Sequence, residues 1–226
     1  MRGKTASKTR QQNISLLIAT ALLIVLFSLL AVAISEHGAV VTFDRQAEIW
    51  LLDRMTPALA TLFLVITQTG NEIFISVLTV YLGIIFLLQK EYALLTRLVL
   101  AAGGGGFLDL TLKVIFRRPR PDFPNVWVHP LDYSFPSGHA MMSIILYGLI
   151  ATLLIRQIKF RRKRTLILVA ASLMILIIGF SRLVLGAHYP SDILAGWSVG
   201  GAWLILSWFY PYGWFKNNHR HASEHP

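Results

Sequence analysis

The sequence predicts an all-α fold: a polytopic membrane protein with six transmembrane helices plus an interfacial helix segment between spans one and two. Of the 226 residues, 55% are hydrophobic and 14% are charged, whereas soluble domains contain roughly 45–50% apolar and about 25% charged residues. The hydrophobic residues are also concentrated in uncharged blocks that are long enough to cross a bilayer. An ordinary soluble domain is therefore excluded, and the absence of cysteine excludes disulfides and thiolate catalysis.

The first long apolar block covers residues 14–34 and contains no charge. It follows a basic head, residues 1–13, whose cations are Arg2, Lys4, Lys8 and Arg10. A basic flank before an apolar block of this length predicts a spanning helix that starts in the cytoplasm. A cleaved signal peptide is the alternative, because Ala31-Val32-Ala33 is typical of a cleavage site, but the apolar block exceeds the usual length of roughly 7–15 residues.

Residues 35–55 predict an amphipathic helix that lies at the membrane interface. Apolar residues recur there at helical spacing among charged ones, at Phe43, Ala47, Trp50 and Leu51. The apolar run at residues 57–67 is too short to span a bilayer, so we expect it to be interfacial or partly inserted. Gly70-Asn71-Glu72 separates this run from residues 73–88, which we predict as span two.

The remaining spans are predicted at residues 92–116, 136–155, 165–185 and 190–210. Residues 117–136 contain five prolines, which exclude a helix and place this stretch outside the hydrocarbon as a structured loop. Four consecutive glycines, Gly103 to Gly106, lie in span three. They favour close helix packing, with a hinge that admits lipid as the alternative.

The distribution of charge predicts the orientation of the spans. With a cytoplasmic N-terminus, 14 of the 21 Lys and Arg residues lie on the inner side, six of them within residues 156–164, as the positive-inside rule requires. The net charge of +10 is thereby explained by topology and by attraction to anionic membrane lipids, and nucleic acid is not expected as a partner. Residues 216–226 are predicted to be a cytoplasmic tail, and we assign no role to His37, His129 or the tail histidines, His219, His221 and His225.

Three polar clusters remain, and the span count places all of them at the outer membrane surface. They are Lys113 with Arg120-Pro121, Pro136-Ser137-Gly138-His139, and Ser181-Arg182 followed by His188 and Asp192. Because they lie at four helix ends, we expect them to form one pocket. Its cations, Lys113, Arg120 and Arg182, predict a site for a tetrahedral anion. The N-terminus of span four adds backbone N–H groups at Ser137 and Gly138.

The histidines of these clusters predict acid–base and nucleophilic chemistry. Pro190 suits the first position of a helix, which would place Asp192 in the first turn and His188 just before it. A carboxylate there would accept a hydrogen bond from one imidazole nitrogen and leave the other as a nucleophile or base. Together with His139, one histidine would attack phosphorus while the other protonates the leaving oxygen.

Three charged residues near these clusters are expected to have other roles. Asp109 lies one helical turn before Lys113, so we expect a structural ion pair between them, with tuning of the pocket as the alternative. Arg117 and Arg118 are expected to snorkel or to meet lipid headgroups.

The chain resembles the type 2 phosphatidic acid phosphatases, also called lipid phosphate phosphatases, in all three motifs and in their order. The motifs are Lys113-x6-Arg120-Pro121, Pro136-Ser137-Gly138-His139 and Ser181-Arg182-x5-His188-x3-Asp192. The resemblance implies that His188 is the nucleophile and forms a phosphohistidine, that Asp192 orients it and that His139 is the general acid. It also implies that no metal or other cofactor takes part and that the phosphate is bound by Lys113, Arg120, Ser137, Gly138, Arg182 and Ser181.

The implied function is metal-independent hydrolysis of a lipid phosphate by one integral membrane domain, residues 1–226. Phosphatidylglycerophosphate is the expected substrate, in a bacterial cell membrane with both termini cytoplasmic and the active site extracytoplasmic. Undecaprenyl diphosphate or phosphatidic acid is the alternative substrate, and phosphotransfer to another lipid is an alternative reaction. An anion transporter is the non-enzymatic alternative, but the sequence has no internal repeat and the motifs lie away from the midplane. No obligate protein partner is evident.

Overall fold

The computed structural model describes residues 2–36, 38–124 and 126–209, with side chains from residue 10 onward. His37, the predicted tail at residues 216–226 and the tail histidines lie outside the described residues. Most of the described chain is α-helical and none of it is β-strand. The helices are α1 (Arg2–Ser35), α2 (Ala39–Leu52), α3 (Pro57–Thr67), α4 (Glu72–Leu88), α5 (Tyr92–Leu98), α6 (Gly104–Phe116), α7 (Gly138–Gln157), α8 (Arg161–Val184) and α9 (Pro190–Phe209). The all-α prediction is confirmed.

Within the described residues, six helical segments are long and apolar enough to cross a membrane, as the sequence predicts. They are Arg10–Ser35, Pro57–Leu88, Tyr92–Phe116, Gly138–Gln157, Arg161–Val184 and Pro190–Phe209. The second segment corrects the prediction for residues 57–67, because α3 and α4 together form one 32-residue segment. Neither helix reaches the roughly 20 residues that a span requires, whereas the two joined through the 3₁₀ turn Gln68–Gly70 exceed it.

Local capping explains why this second segment is divided. Thr56 caps α3, where its hydroxyl accepts a hydrogen bond from the Leu59 amide (3.3 Å), and Pro57 occupies the first turn. Asn71 caps α4 in the same manner, with Oδ1 accepting from the Phe74 amide at 2.8 Å. Side-chain caps of this kind satisfy the amides that start a helix. Thr56 therefore starts the first helix, and Asn71 starts a second one after the 3₁₀ turn.

Helix α2 forms where an interfacial helix was predicted, but its two faces are opposite to those of a soluble amphipathic helix. Asp44, Glu48 and Leu52 are buried against the protein, while Phe43 and Trp50 are 60% and 55% exposed. Apolar side chains lose nothing when they face lipid, whereas carboxylates need polar partners that only the protein interior provides. The acidic face is therefore the one that packs inward.

The packing of α7 against α9 positions the polar clusters. A Cβ atom at Gly196 would lie 2.6 Å from the Ser137 carbonyl oxygen, and one at Gly200 would lie 2.7 Å from that of Met141. Small residues permit such close backbone approach between membrane helices. The start of α9 is thereby held against the start of α7, and the ends of these two helices carry two of the three sequence motifs.

Candidate active site

The loop between α6 and α7, residues 117–137, is fixed to the ends of the helices around it. The Ser134 amide donates to the Arg118 carbonyl oxygen (2.9 Å), and the Ser137 amide donates to that of Asp192 (3.0 Å). The Trp127 amide donates to the Leu185 carbonyl oxygen at 3.0 Å. These bonds bring the loop, the start of α7 and the α8–α9 connection together, as the sequence predicts for the three motifs.

The His188 imidazole is buried and hydrogen-bonded at both nitrogens. Nδ1 lies 2.8 Å from the Ser134 carbonyl oxygen, which can only accept, so the proton is assigned to Nδ1. Nε2 then carries the lone pair and lies 3.0 Å from Nη1 of Arg120. Burial lowers the pKa of His188 well below 6.5, and the positive charges of Arg120, Arg182 and Lys113 lower it further. The ring is therefore neutral near pH 7, in the form that attacks as a nucleophile.

Asp192 does not form the predicted direct hydrogen bond with His188. Its Oδ2 atom is 3.6 Å from Nδ1 of His188 and instead accepts hydrogen bonds from the Ser134 hydroxyl and, at 2.9 Å, from the Tyr189 amide. The carboxylate thus contacts His188 only through Ser134, whose carbonyl oxygen holds the ring. Orientation of His188 by Asp192 stays a prediction, and its route in this structure is indirect.

Arg118 corrects a second prediction, because it neither snorkels nor meets headgroups. It is buried between two carboxylates, 2.7 Å from Asp44 and 2.5 Å from Asp192, and its guanidinium lies 4.4 Å from the ring centroid of Tyr189. Asp44 also accepts a hydrogen bond from the Ser191 amide at 3.0 Å. Sequence reasoning missed this network, although two acidic residues four apart in a short apolar helix were a usable signal.

Glu48 lies one turn after Asp44 on the same buried face. Both of its carboxyl oxygens are buried without a hydrogen-bond partner among the described residues. Burial, followed by the charges of Asp192 and Asp44, raises the pKa of Glu48 to about 9. Glu48 is consequently a neutral carboxylic acid near pH 7.

The three predicted phosphate-binding cations differ in their partners. Lys113 lies 3.1 Å from Asp109, which confirms that ion pair, and 2.6 Å from Asp132. Arg120 pairs with Asp132 at 2.5 Å and donates to the Ala187 carbonyl oxygen at 2.6 Å. Arg182 is buried and donates to the Thr67 hydroxyl at 3.2 Å, while its Nε has no partner and no carboxylate pairs with it in the described part of the chain. Of the three cations, Arg182 is thus the one whose charge no carboxylate of the described residues balances.

The start of α7 supplies a different pair of amides from the predicted one. Ser137 is the N-cap, but its own amide is used by Asp192, so Gly138 and His139 are the amides left for an anion. A Cβ atom at Gly138 would lie 2.9 Å from Asp109 Oδ2, which explains the glycine. The Ser181 hydroxyl donates to the carbonyl oxygen of Ile178 in its own helix at 2.6 Å. The geometry therefore does not support Ser181 as a phosphate donor, and its role stays a prediction.

His139 faces a cleft of about 380 Å³ between α4 and α6. Its walls are mostly apolar, and Val80 and Leu110, which lie on it, are strongly exposed on the outside of the spans. Two of the four glycines of span three serve close helix packing, as expected, whereas a hinge that admits lipid stays a prediction. Added Cβ atoms at Gly104 and Gly105 would collide with Trp203 and Ile145, whereas at Gly103 and Gly106, which line the cleft, they would meet no atom within 4 Å.

This site lies at the ends of four helices of a six-span fold. It brings together a neutral histidine, a second histidine and three cations. Such an arrangement is typical of a membrane protein that acts on a phosphate group. The chain belongs to the PAP2 superfamily, whose family model matches residues 94–216. It is 32% identical over 180 residues to phosphatidylglycerophosphatase B of Bacillus subtilis (strain 168), covering 79% of this chain and 87% of that protein.

Two further comparisons concern a solved structure and a second relative. The crystal structure of a transmembrane PAP2 type phosphatidylglycerolphosphate phosphatase from Bacillus subtilis matches with a TM-score of 0.72 and 28% identity, covering 92% of this chain and 98% of that one. Decaprenylphosphoryl-5-phosphoribose phosphatase of Mycolicibacterium smegmatis is 35% identical over 104 residues, covering 43% of this chain and 51% of that protein.

Proposed function

We propose that this protein hydrolyses the terminal phosphate of a membrane lipid, with phosphatidylglycerophosphate as the principal substrate. The observation that carries the proposal is the His188 ring, which is neutral, donates its Nδ1 proton to the Ser134 carbonyl oxygen and places Nε2 next to Arg120. A nucleophile next to a guanidinium suits attack on a phosphate that the guanidinium binds. The relatives whose names specify phosphatidylglycerophosphate support the choice of substrate.

The proposed reaction has two steps. The phosphate binds among Lys113, Arg120 and Arg182, and Nε2 of His188 attacks phosphorus. A bond forms between this nitrogen and phosphorus as the bond from phosphorus to the lipid oxygen breaks, and His139 gives that oxygen a proton. Water then attacks phosphorus and gives a proton to His139, which releases inorganic phosphate and restores His188. The cations and the amides at the start of α7 stabilise the negative charge in both steps.

The cleft between α4 and α6 is the proposed path for the lipid part of the substrate. It joins His139, the predicted proton donor, to the lipid-facing surface near Val80 and Leu110. A leaving lipid could remain in the cleft while its chains stay in the bilayer. By the charge distribution of the sequence, this end of the protein lies at the outer face of a bacterial cell membrane.

The test is phosphate release by the purified protein in excess chelator. Phosphatidylglycerophosphate, phosphatidic acid and undecaprenyl diphosphate would be compared, with His188→Ala measured alongside. We expect chelator-resistant release that is fastest with phosphatidylglycerophosphate and is lost in the variant. Release that disappears with chelator would contradict the metal-free mechanism, and release from none of the three lipids would contradict the function.

A prenyl diphosphate is the second candidate substrate. The surface of the cleft is mainly apolar, which suits an isoprenoid chain as well as a fatty acyl chain, and one relative is named for a decaprenylphosphoryl sugar. The ranking of rates in the same assay separates the two candidates, since each predicts a different fastest substrate.

A further inference from the structure

Asp132 lies across two of the cations that the proposed reaction needs for its phosphate. One carboxylate oxygen is 2.6 Å from Nζ of Lys113 and the other is 2.5 Å from Nη2 of Arg120. The Asp132 backbone carbonyl oxygen also accepts a hydrogen bond from Nε of Arg120 at 2.8 Å. Two oxygens of one anion thus bridge Lys113 and Arg120, which is the contact that two oxygens of a phosphate would make.

The carboxylate is the movable member of this group. The Lys113 and Arg120 side chains are 7% and 11% exposed, whereas that of Asp132 is 44% exposed. The cations are held from behind, Lys113 by Asp109 and Arg120 by the Ala187 carbonyl oxygen. Asp132 lies instead on the loop before α7, so its side chain can rotate outwards without uncovering the core.

Asp132 keeps its negative charge throughout the working range of pH. Burial raises its pKa, but hydrogen bonds and charge from Lys113 and Arg120 outweigh burial and lower the pKa to about 2. An entering phosphate group therefore always competes with a charged carboxylate.

We propose that Asp132 is a built-in anion that competes with phosphate groups for Lys113 and Arg120 and thereby sets the affinity that an entering anion needs to occupy the site. The inference rests on the proposed function. Competition lowers the apparent affinity for every anion by the fraction of sites that Asp132 leaves open. A phosphate monoester has two negative charges and three unesterified oxygens and can also reach Arg182, so it displaces Asp132. A phosphodiester headgroup has one charge and two such oxygens, so the bulk phospholipids of the membrane do not.

A purely structural role for Asp132 predicts the opposite result. If the carboxylate only held Lys113 and Arg120 in place, its removal would disorder the two cations and weaken anion binding. If it competes with phosphate, its removal strengthens anion binding. The sign of the change in affinity therefore separates the two roles, whatever happens to the rate.

The experiment measures binding of inorganic phosphate to the purified full chain by calorimetry, and inhibition of phosphate release by added phosphatidylglycerol, which is a phosphodiester. In Asp132→Asn we expect phosphate to bind about fivefold more tightly, the scale set by a partly exposed ion pair, and inhibition by phosphatidylglycerol to increase by a similar factor. Asp132→Glu keeps the charge and should resemble the parent. Asp122→Asn removes the same charge from an exposed side chain of the same loop and should change neither value.

Weaker or unchanged phosphate binding in Asp132→Asn would overturn the inference. Asp132→Ser removes the same charge from this exposed position and gives the same reading should the amide variant fold poorly. If the parent protein releases phosphate from lipid but Asp132→Asn binds phosphate no more tightly, the role of Asp132 is refuted and the proposed function is not. A parent protein that neither releases phosphate nor binds it refutes the proposed function itself.

Discussion

The two sides of the candidate site differ in how fully their polar groups are paired. On the side of the proposed nucleophile, which we call the nucleophile side, four residues are buried and make several hydrogen bonds each: His188, Asp192, Arg118 and Asp44. On the cleft side, the Arg182 Nε and Asp109 Oδ1 atoms are buried without a partner among the described residues. Apart from Glu48, the polar groups of the nucleophile side are paired without a ligand, whereas the cleft side has unpaired polar atoms that a ligand could bond.

The difference indicates that the two sides of the candidate site have different roles. Buried polar groups are normally hydrogen-bonded, and a fully bonded network keeps its geometry when charge develops. The nucleophile side therefore fixes the tautomer and position of His188 in advance. Under the proposed function the cleft side receives both a phosphate group and a lipid, so we expect the unpaired Nε atom of Arg182 to find its partner in bound substrate.

Removal of the nucleophile should have the largest effect. In His188→Ala we expect phosphate release to fall by three or more orders of magnitude, on the order of the loss for other covalent nucleophiles, while lipid binding persists through the three cations. Initial rates and lipid binding would be measured in the same detergent. His129→Ala, an exposed histidine in the loop, is the control. Turnover in His188→Ala at a tenth of the parent rate would refute the mechanism.

The next largest effect should come from the nucleophile side of the comparison, as a loss of stability. Arg118→Met leaves Asp44 and Asp192 buried without their cation, and breaking a buried ion pair costs about 3–5 kcal/mol. Arg117→Met is the matched control, since Arg117 is exposed and bonds only the Val114 carbonyl oxygen of its own helix. Thermal unfolding in detergent should separate these neighbours. Equal unfolding temperatures for Arg118→Met and Arg117→Met would contradict the expected cost of leaving Asp44 and Asp192 buried without a cation.

Glu48 is the exception on the nucleophile side, and its effect depends on pH. Its folded-state pKa of about 9 lies above the ordinary value of 4.5, so the unfolded chain releases a proton that the folded chain keeps. The stability of the parent therefore falls as the pH rises from 4.5 towards 9. Glu48→Gln does not titrate and should be more stable than the parent by roughly 1–3 kcal/mol at pH 8, with a smaller gain at pH 5. Glu36→Gln, at an exposed position, should show neither change, and a gain independent of pH would contradict this account.

The fold and the convergence of the three motifs could be predicted from the sequence because they depend on local patterns. Apolar length gave the six spans, and fixed spacing placed Lys113, Ser137 and Asp192 at helix ends. Span two could not be predicted in full, since its apolar run is divided by the 3₁₀ turn Gln68–Gly70 and the cap at Asn71. Only the structure shows that the two parts continue each other.

The parts of the site that could not be predicted depend on contacts distant in sequence. Arg118 pairs with residues 74 positions away on either side, and no spacing rule connects α2 with α9. The partner of His188 was missed for a different reason. Asp192 lies four residues from His188 and is the nearest carboxylate along the sequence, but the loop places the Ser134 carbonyl oxygen closer, at 2.8 Å.

The smallest predicted effect tests the cleft side of the comparison. Gly106→Leu should fill the cleft without harming the fold, because an added Cβ atom at this position meets no atom within 4 Å. We expect kcat/KM for phosphatidylglycerophosphate to fall by about tenfold, a change equivalent to about 1.4 kcal/mol. A short-chain, water-soluble phosphate monoester, which leaves the cleft empty, should be hydrolysed at the parent rate. The ratio of the two rates is the quantity to measure.

Gly104→Leu is the matched control, since it is the same change two residues away. Its Cβ atom would lie 2.4 Å from the Trp203 ring, so the substitution should lower thermal stability and reduce both rates together. A shift in substrate ratio for Gly106→Leu alone would locate the lipid in the cleft between α4 and α6. Loss of the soluble and the lipid substrate to the same extent in Gly106→Leu would instead place the damage in the chemistry around His139 and remove the cleft from the substrate path.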